Sequence, residues 1–163
     1  MQIITLGNEL LKQKATTVTE INDELIKTFN IMLEVMESDK GIGLAGPQIG
    51  IMKRIFVTHA EGDVKRFFIN PSILETSLET SKMEEGCLSI PKIYATVVRA
   101  KEIKIQAWNE KGRPFTMEAS GLLARVILHE YDHLEGILFL DRLAEAKRQR
   151  LIEKYEKQAN IQK

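Results

Sequence analysis

The chain has 163 residues, 44% of them hydrophobic and 28% charged, which supplies one packed core and excludes an intrinsically disordered chain. Lysine plus arginine (23) balances aspartate plus glutamate (23), which excludes the overall positive field of a general nucleic-acid binder. No basic leader precedes an apolar stretch and no run approaches the roughly 18 apolar residues of a membrane span, so one cytoplasmic domain over residues 1–163 with no membrane contact is the expectation.

Apolar residues recur at helical spacing from Ile21 to Met36, with Asn22 able to cap the start and Gly41 to end the helix. The segment GIGLAGPQIG follows, and its glycines and Pro47 predict irregular backbone. Arg54 to Thr58 and Arg66 to Asn70 read as strands of a hairpin turned by His59 to Lys65. MEEGCLSIP is a strand or loop closed by Pro91, and Ala95 to Val98, Glu102 to Trp108 and Pro114 to Glu118 are further strands. After Ser120 the period changes. Leu122, Val126, His129 and His133 fall on one face of a helix that Gly136 stops, and a strongly charged helix runs from about Asp141 to about Ala159. Terminal helices with strands between them predict an α+β fold of mainly antiparallel strands packed around a central helix, with a C-terminal helix.

His129 and His133 stand four apart on that central helix, so both rings leave one face and can grip a single ion, while Glu130 lies about 100° around the helix within reach of water at the ion. This is an HExxH motif. Catalytic zinc-type sites use three protein ligands and an open position, so a third ligand is required. Glu135, Asp141 and Glu145 qualify by residue type alone. Cys87, the only cysteine, is the better candidate, because a thiolate binds zinc and iron strongly and the neighbouring Gly86 lets backbone come close to ion or substrate. A Cys-His-His set also serves blue copper proteins, yet electron transfer has no use for the acid inside HExxH. His59, in a predicted turn, reads as a solvated residue rather than a fourth ligand.

With GIGLAGPQIG, EGCLS and HEYDHLEG in this order, the sequence resembles the peptide deformylase family, whose signatures are GxGLAAxQ, EGCLS and HExDH. The resemblance spans Gly41 to His133. It implies metal-dependent removal of the formyl group from the N-terminal formyl-methionine of newly made polypeptides, with release of formate. It also implies Cys87, His129 and His133 as metal ligands, Glu130 as general acid and base, and Gln48 with the backbone N–H of Leu88 as oxyanion donors. One divalent ion is implied, Fe2+ by family habit, with Zn2+, Ni2+ or Co2+ able to replace it. The family usually carries a second alanine where this chain has Gly46, and the missing methyl is expected to loosen the loop before Gln48.

The partners expected are N-formylmethionyl peptides and nascent chains. Gly41 and Gly43 allow close backbone approach, so a peptide is expected to pair in extended form along GIGLA, meeting Ile42, Gly43 and Gly86. A methionine pocket is expected with walls from Ile42, Ile127 and Leu128. Glu85 can serve as the buried partner of a basic residue such as Arg99. On the last helix Lys147, Arg150 and Lys154 share one side, a basic strip suited to ribosomal RNA, while Ala144, Leu151, Ile152 and Tyr155 lie on a side that can face the protein. The enzyme is expected to be a monomer.

Overall fold

The computed structural model describes residues 1–161; Gln162 and Lys163, which the expected domain includes, lie outside them. Helix α1 (Asp23–Ser38) opens where its cap was predicted, with the Asn22 side chain accepting from the Leu25 amide at 3.0 Å. It stops earlier than the glycine. Lys40 takes the left-handed turn at φ 60, and the Gly41 amide donates to Met36 O. Phe29, Met32 and Met36 on the inner face of α1 join Leu44, Ile55, Val57 and Ile69 in one apolar cluster.

The strands form two antiparallel sheets. Five of them run in the order β1 (Gly43–Ala45), β2 (Ile55–Thr58), β3 (Arg66–Thr76), β6 (Glu102–Trp108) and β7 (Pro114–Ser120), while β4 (Thr80–Cys87) and β5 (Ile90–Ala100) pair as a long hairpin. Three predicted extents need correction. The segment expected to be irregular contains the short edge strand β1, whose Leu44 pairs with Val57, before Gly46–Ile49 coil into a 3-10 turn. Strand β3 was expected to end at Asn70, before Pro71, but it runs six residues further, to Thr76. A register shift between Ile69 and Ser72 and a φ of 49 at Asn70 carry the chain past the proline, which cannot donate to a ladder. The Asn70 side chain fixes this bulge by accepting from Val18 N and donating to Val18 O. Likewise β5 starts before Pro91 rather than at Ala95.

Helix α2 (Gly121–Leu134) contacts β1, β2, β6 and β7 of the large sheet and β5 of the hairpin, so it is held between the two. Its Ala124, Ile127 and Leu134 pack with Phe56, Phe68 and Ile105 of the large sheet. Helix α3 (Glu145–Ile161) begins later than predicted, because Phe139–Arg142 form a separate 3-10 turn. Leu151, Ile152 and Tyr155 pack against the β5 cluster of Ile93, Ala95 and Val97, whereas Ala144 precedes the helix and is exposed. The α+β class and the central position of the HExxH helix stand as expected.

Candidate metal and substrate site

One cleft of about 1180 Å³ lies where β1, the β4–β5 turn and α2 converge, and Gln48, Cys87, Leu88, His129 and Glu130 line it. At its inner end one ligand atom from each of Cys87, His129 and His133 falls within 4.8 Å of the others. Cys87 Sγ and His133 Nε2 are 3.4 Å apart. A tetrahedral ion with bonds of about 2.3 Å to sulfur and about 2.0 Å to nitrogen would set those atoms roughly 3.5 Å apart, so the donor set fits such an ion. Glu135 instead pairs with Arg54 and Asp141 with Arg148, while Glu145 is exposed at the start of α3. His59 sits 3.6 Å from Glu37 and belongs to neither cluster nor cleft.

His129 is oriented from behind, whereas His133 Nδ1 is buried without a hydrogen-bond partner. His129 Nδ1 meets Glu85 Oε1 at 2.8 Å, which leaves Nε2 as the ligand nitrogen. Glu85 in turn accepts two bonds from Arg99 (2.6 and 3.0 Å) and one from Arg125 (2.7 Å). Arg99 also donates to Asp132, which accepts a bidentate pair from Arg142. The sequence named the Glu85–Arg99 pair but missed Arg125, Asp132 and Arg142. A signal for Arg125 was present: residues 125, 129 and 133 are spaced by four, so the arginine lies on the ligand face of α2.

These contacts shift the titration of the groups they join. Burial raises the Glu85 carboxyl, but hydrogen bonds from His129 and Arg99 outweigh it and hold the group well below the ordinary carboxylate range. Burial pulls His129 down, yet the Glu130 charge and its bonds with Cys87 and Glu85 hold it well above normal. Burial pushes His133 well down, helped by the His129 charge, and leaves it a neutral donor. Glu130 is pushed up to about 7, chiefly by burial, and its Oε1 is buried without a hydrogen-bond partner.

Gln48 reaches the cluster from the 3-10 turn. Its Oε1 accepts from Ala45 N at 2.9 Å, and its Nε2 lies 3.5 Å from Cys87 Sγ. Leu88 occupies the β4–β5 turn, and its side chain fills the space above Gly41, where a Cβ would come within 2.6 Å. Close approach at Gly43 is also to a side chain, since a Cβ there would meet Glu130 Oε2 at 2.5 Å. At Gly86 the ring of Tyr94 makes the approach. These glycines therefore have a packing reason as well as the substrate-facing one expected from the sequence. Gly46 is not loose: Ile51 O and Lys53 O close on it to 2.6 and 3.0 Å of where a Cβ would stand. The expected pocket walls also need correction. Ile127 and Leu128 pack in the core beneath the large sheet, and the apolar helix residues that reach the cleft are Leu122 and Val126, one turn apart on the face of His129, with Ile42 also lining it.

An HExxH helix that brings two buried histidines to a half-buried cysteine, beside an unpartnered carboxylate, belongs to the class of single-ion hydrolases. The family profile for Polypeptide deformylase matches residues 1–149. Peptide deformylase 1 of Clostridium perfringens is 50% identical over 135 residues, covering 82% of this chain and 91% of that one. The crystal structure of a peptide deformylase from Legionella pneumophila superposes with a TM-score of 0.93 at 36% identity, covering 99% of this chain and 96% of the other. A peptide deformylase from Synechococcus elongatus, in complex with actinonin, gives a TM-score of 0.91 at 41% identity over 96% and 86%. The chain belongs to the peptide deformylase family. It is a metal-dependent hydrolase that removes the N-formyl group from newly synthesised polypeptides.

Proposed function

We propose that Cys87, His129 and His133 hold one divalent ion, that Glu130 moves the proton, and that Gln48 Nε2 and the Leu88 N–H receive the charge on the formyl oxygen. The observation that carries this reading is the meeting of three ligand atoms within 4.8 Å at the inner end of the cleft, beside the unpartnered Glu130 Oε1. When bound, the ion supplies Lewis acidity that lowers the pKa of water and polarises the formyl group. Glu130 takes a proton from the attacking water as its oxygen joins the formyl carbon. It then gives that proton to the amine nitrogen as the C–N bond breaks, so the amine leaves neutral and the other water proton stays on formic acid, which ionises to formate. The formyl oxygen gains charge as its carbon becomes tetrahedral, and donors aimed at that oxygen act most strongly then.

The formyl-methionine side chain lies between Ile42 and the Leu122–Val126 face in this reading, and the peptide runs along β1 past Gly43 toward Gly86. Strand β1 supports that path, because β2 pairs with one edge only and the other borders the cleft. The soft thiolate in the donor set suits Fe2+ or Zn2+, and also Ni2+ or Co2+; family membership favours iron. Residues 1–163 act as one monomeric cytoplasmic domain in this proposal, and α3 offers its basic strip to ribosomal RNA. Among the described residues no helix is long and apolar enough to cross a membrane.

Metal analysis of anaerobically purified protein, with formate release from a formyl-methionyl peptide and cleavage of an unformylated peptide as control, tests the site. Iron-loaded enzyme should lose activity in air faster than the nickel form, because Fe2+ and the Cys87 thiolate are both oxidisable. Equal decay of the two forms would remove iron as the cause. Cys87→Ala should empty the site, and full occupancy in that variant would place the third ligand elsewhere.

A further inference from the structure

Gln48 is 1% exposed and Ser89 0%, and neither the chemistry above nor the sequence motifs give the serine hydroxyl a task. The two side chains meet: Gln48 Nε2 donates to Ser89 Oγ at 3.1 Å. The amide orientation is fixed at its other end. Ala45 N is a donor only, so the group 2.9 Å from it must be Oε1, and Nε2 is turned toward Ser89 and Cys87. An amide nitrogen has two protons. One goes to Ser89 Oγ, and planarity then sends the other toward Cys87 Sγ, 3.5 Å away at the inner end of the cleft.

The two backbones are held together independently of that bond. The Ile4 amide donates to Gln48 O at 2.7 Å and the Leu6 amide to Ser89 O at 2.9 Å, so the N-terminal segment ties the 3-10 turn to the β4–β5 turn. Removing the hydroxyl therefore deletes one side-chain contact and leaves the frame.

We propose that Ser89 is a positioning residue, whose hydroxyl holds one proton of the Gln48 amide so that the other points at the reacting formyl oxygen. The inference rests on the reading of Gln48 as an oxyanion donor. Misplacement of a reacting group by about an ångström costs up to about a hundredfold, so Ser89→Ala should lower kcat by about tenfold or more with KM, metal content and melting temperature nearly unchanged.

A double-mutant cycle tests the route. Ser89→Ala, Gln48→Ala and the double variant are compared as zinc-loaded enzymes on a formyl-methionyl peptide. If Ser89 acts through Gln48, its substitution has no further effect in the Gln48→Ala background. An equal loss in both backgrounds, or no loss in the Ser89→Ala single variant, overturns the proposal while leaving Gln48 as a donor. Near-normal turnover in Gln48→Ala would instead sink the donor reading itself, and the proposal with it. A second readout is the Gln48 side-chain amide in 15N NMR spectra of the zinc enzyme. Its two protons should be distinct and protected from solvent exchange in the wild type and should exchange faster in Ser89→Ala. Rapid exchange already in the wild type overturns the proposal without any variant.

Discussion

Helix α2 buries Arg125 against Glu85, where the carboxylate also meets Arg99 and His129, whereas α3 leaves Arg150 and Lys154 in water and Lys147 half-buried. Arg148, to Asp141, is the one basic side chain of α3 in a salt bridge among the described residues. The same residue types thus serve opposite ends. Around α2 the charges of Arg99, Arg125 and Glu85 are taken out of water and matched with one another, because an unpaired charge there is costly. On α3 water solvates them, so they add little to stability and remain available to an anionic partner.

The largest effect expected from breaking this contrast is at Glu85. Glu85→Gln removes the charge that Arg99 and Arg125 share, and loss of one partner of a buried pair typically costs about 3 to 5 kcal/mol. The sign with pH follows from the depressed carboxyl. Its contribution is complete above the ordinary value of 4.5 and is lost as the pH falls toward its folded value. The difference in chemical-denaturation midpoint between wild type and variant should therefore be flat near neutrality and narrow only in acid. A difference that grows with acid would contradict the ion-pair account.

Glu130→Gln, on α2, removes none of the hydrogen bonds of that network. It should keep the metal and lose at least about a hundredfold in turnover, the lower range for general acid and base catalysis. Near-normal formate release with full metal content would remove Glu130 from the reaction. A smaller effect is expected from Gly46→Ala, where backbone oxygens already crowd the missing Cβ. Overpacking of this kind costs about 1 to 3 kcal/mol, read as a lower melting temperature. An unchanged or raised melting temperature would show that the turn has room to spare.

The smallest effect on the enzyme itself belongs to α3. Changing Lys147, Arg150 and Lys154 together to glutamate should alter stability by no more than about 0.5 kcal/mol per site and spare activity on short peptides. The contrast between the helices is sharpened if the triple variant also loses salt-sensitive co-sedimentation with ribosomes. Unchanged co-sedimentation at low salt would leave α3 as a cap on the β5 cluster.

Much of this site was legible in the sequence because its parts are local. The i, i+4 histidines, the glutamate between them and the glycine-flanked cysteine carry their chemistry in short strings, and the helical period placed two of them on one face. What escaped was set by tertiary contact. Nothing near Asn70 in the chain announces that its side chain will bind Val18 and carry β3 past Pro71. Ser89 was read as part of a motif, but its partner lies 41 positions away. Leu122 and Val126 were placed on the correct face, yet only the packing of Ile127 and Leu128 into the core shows which apolar residues remain for the cleft.

The two amide bonds that tie Ile4 to Gln48 and Leu6 to Ser89 bear on how the molecule comes into being. They join a segment made early to segments emerging later, and His129 and His133 arrive later still. Contacts of such long sequence separation are slow to form, because the chain between them must first surrender its freedom. Translation delivers the N-terminal segment long before its partners, so it waits unpaired until the β4–β5 turn has left the ribosome. The two histidines of the HExxH motif are thus among the last parts of the cleft to be made, and the cleft is complete only once α2 has emerged.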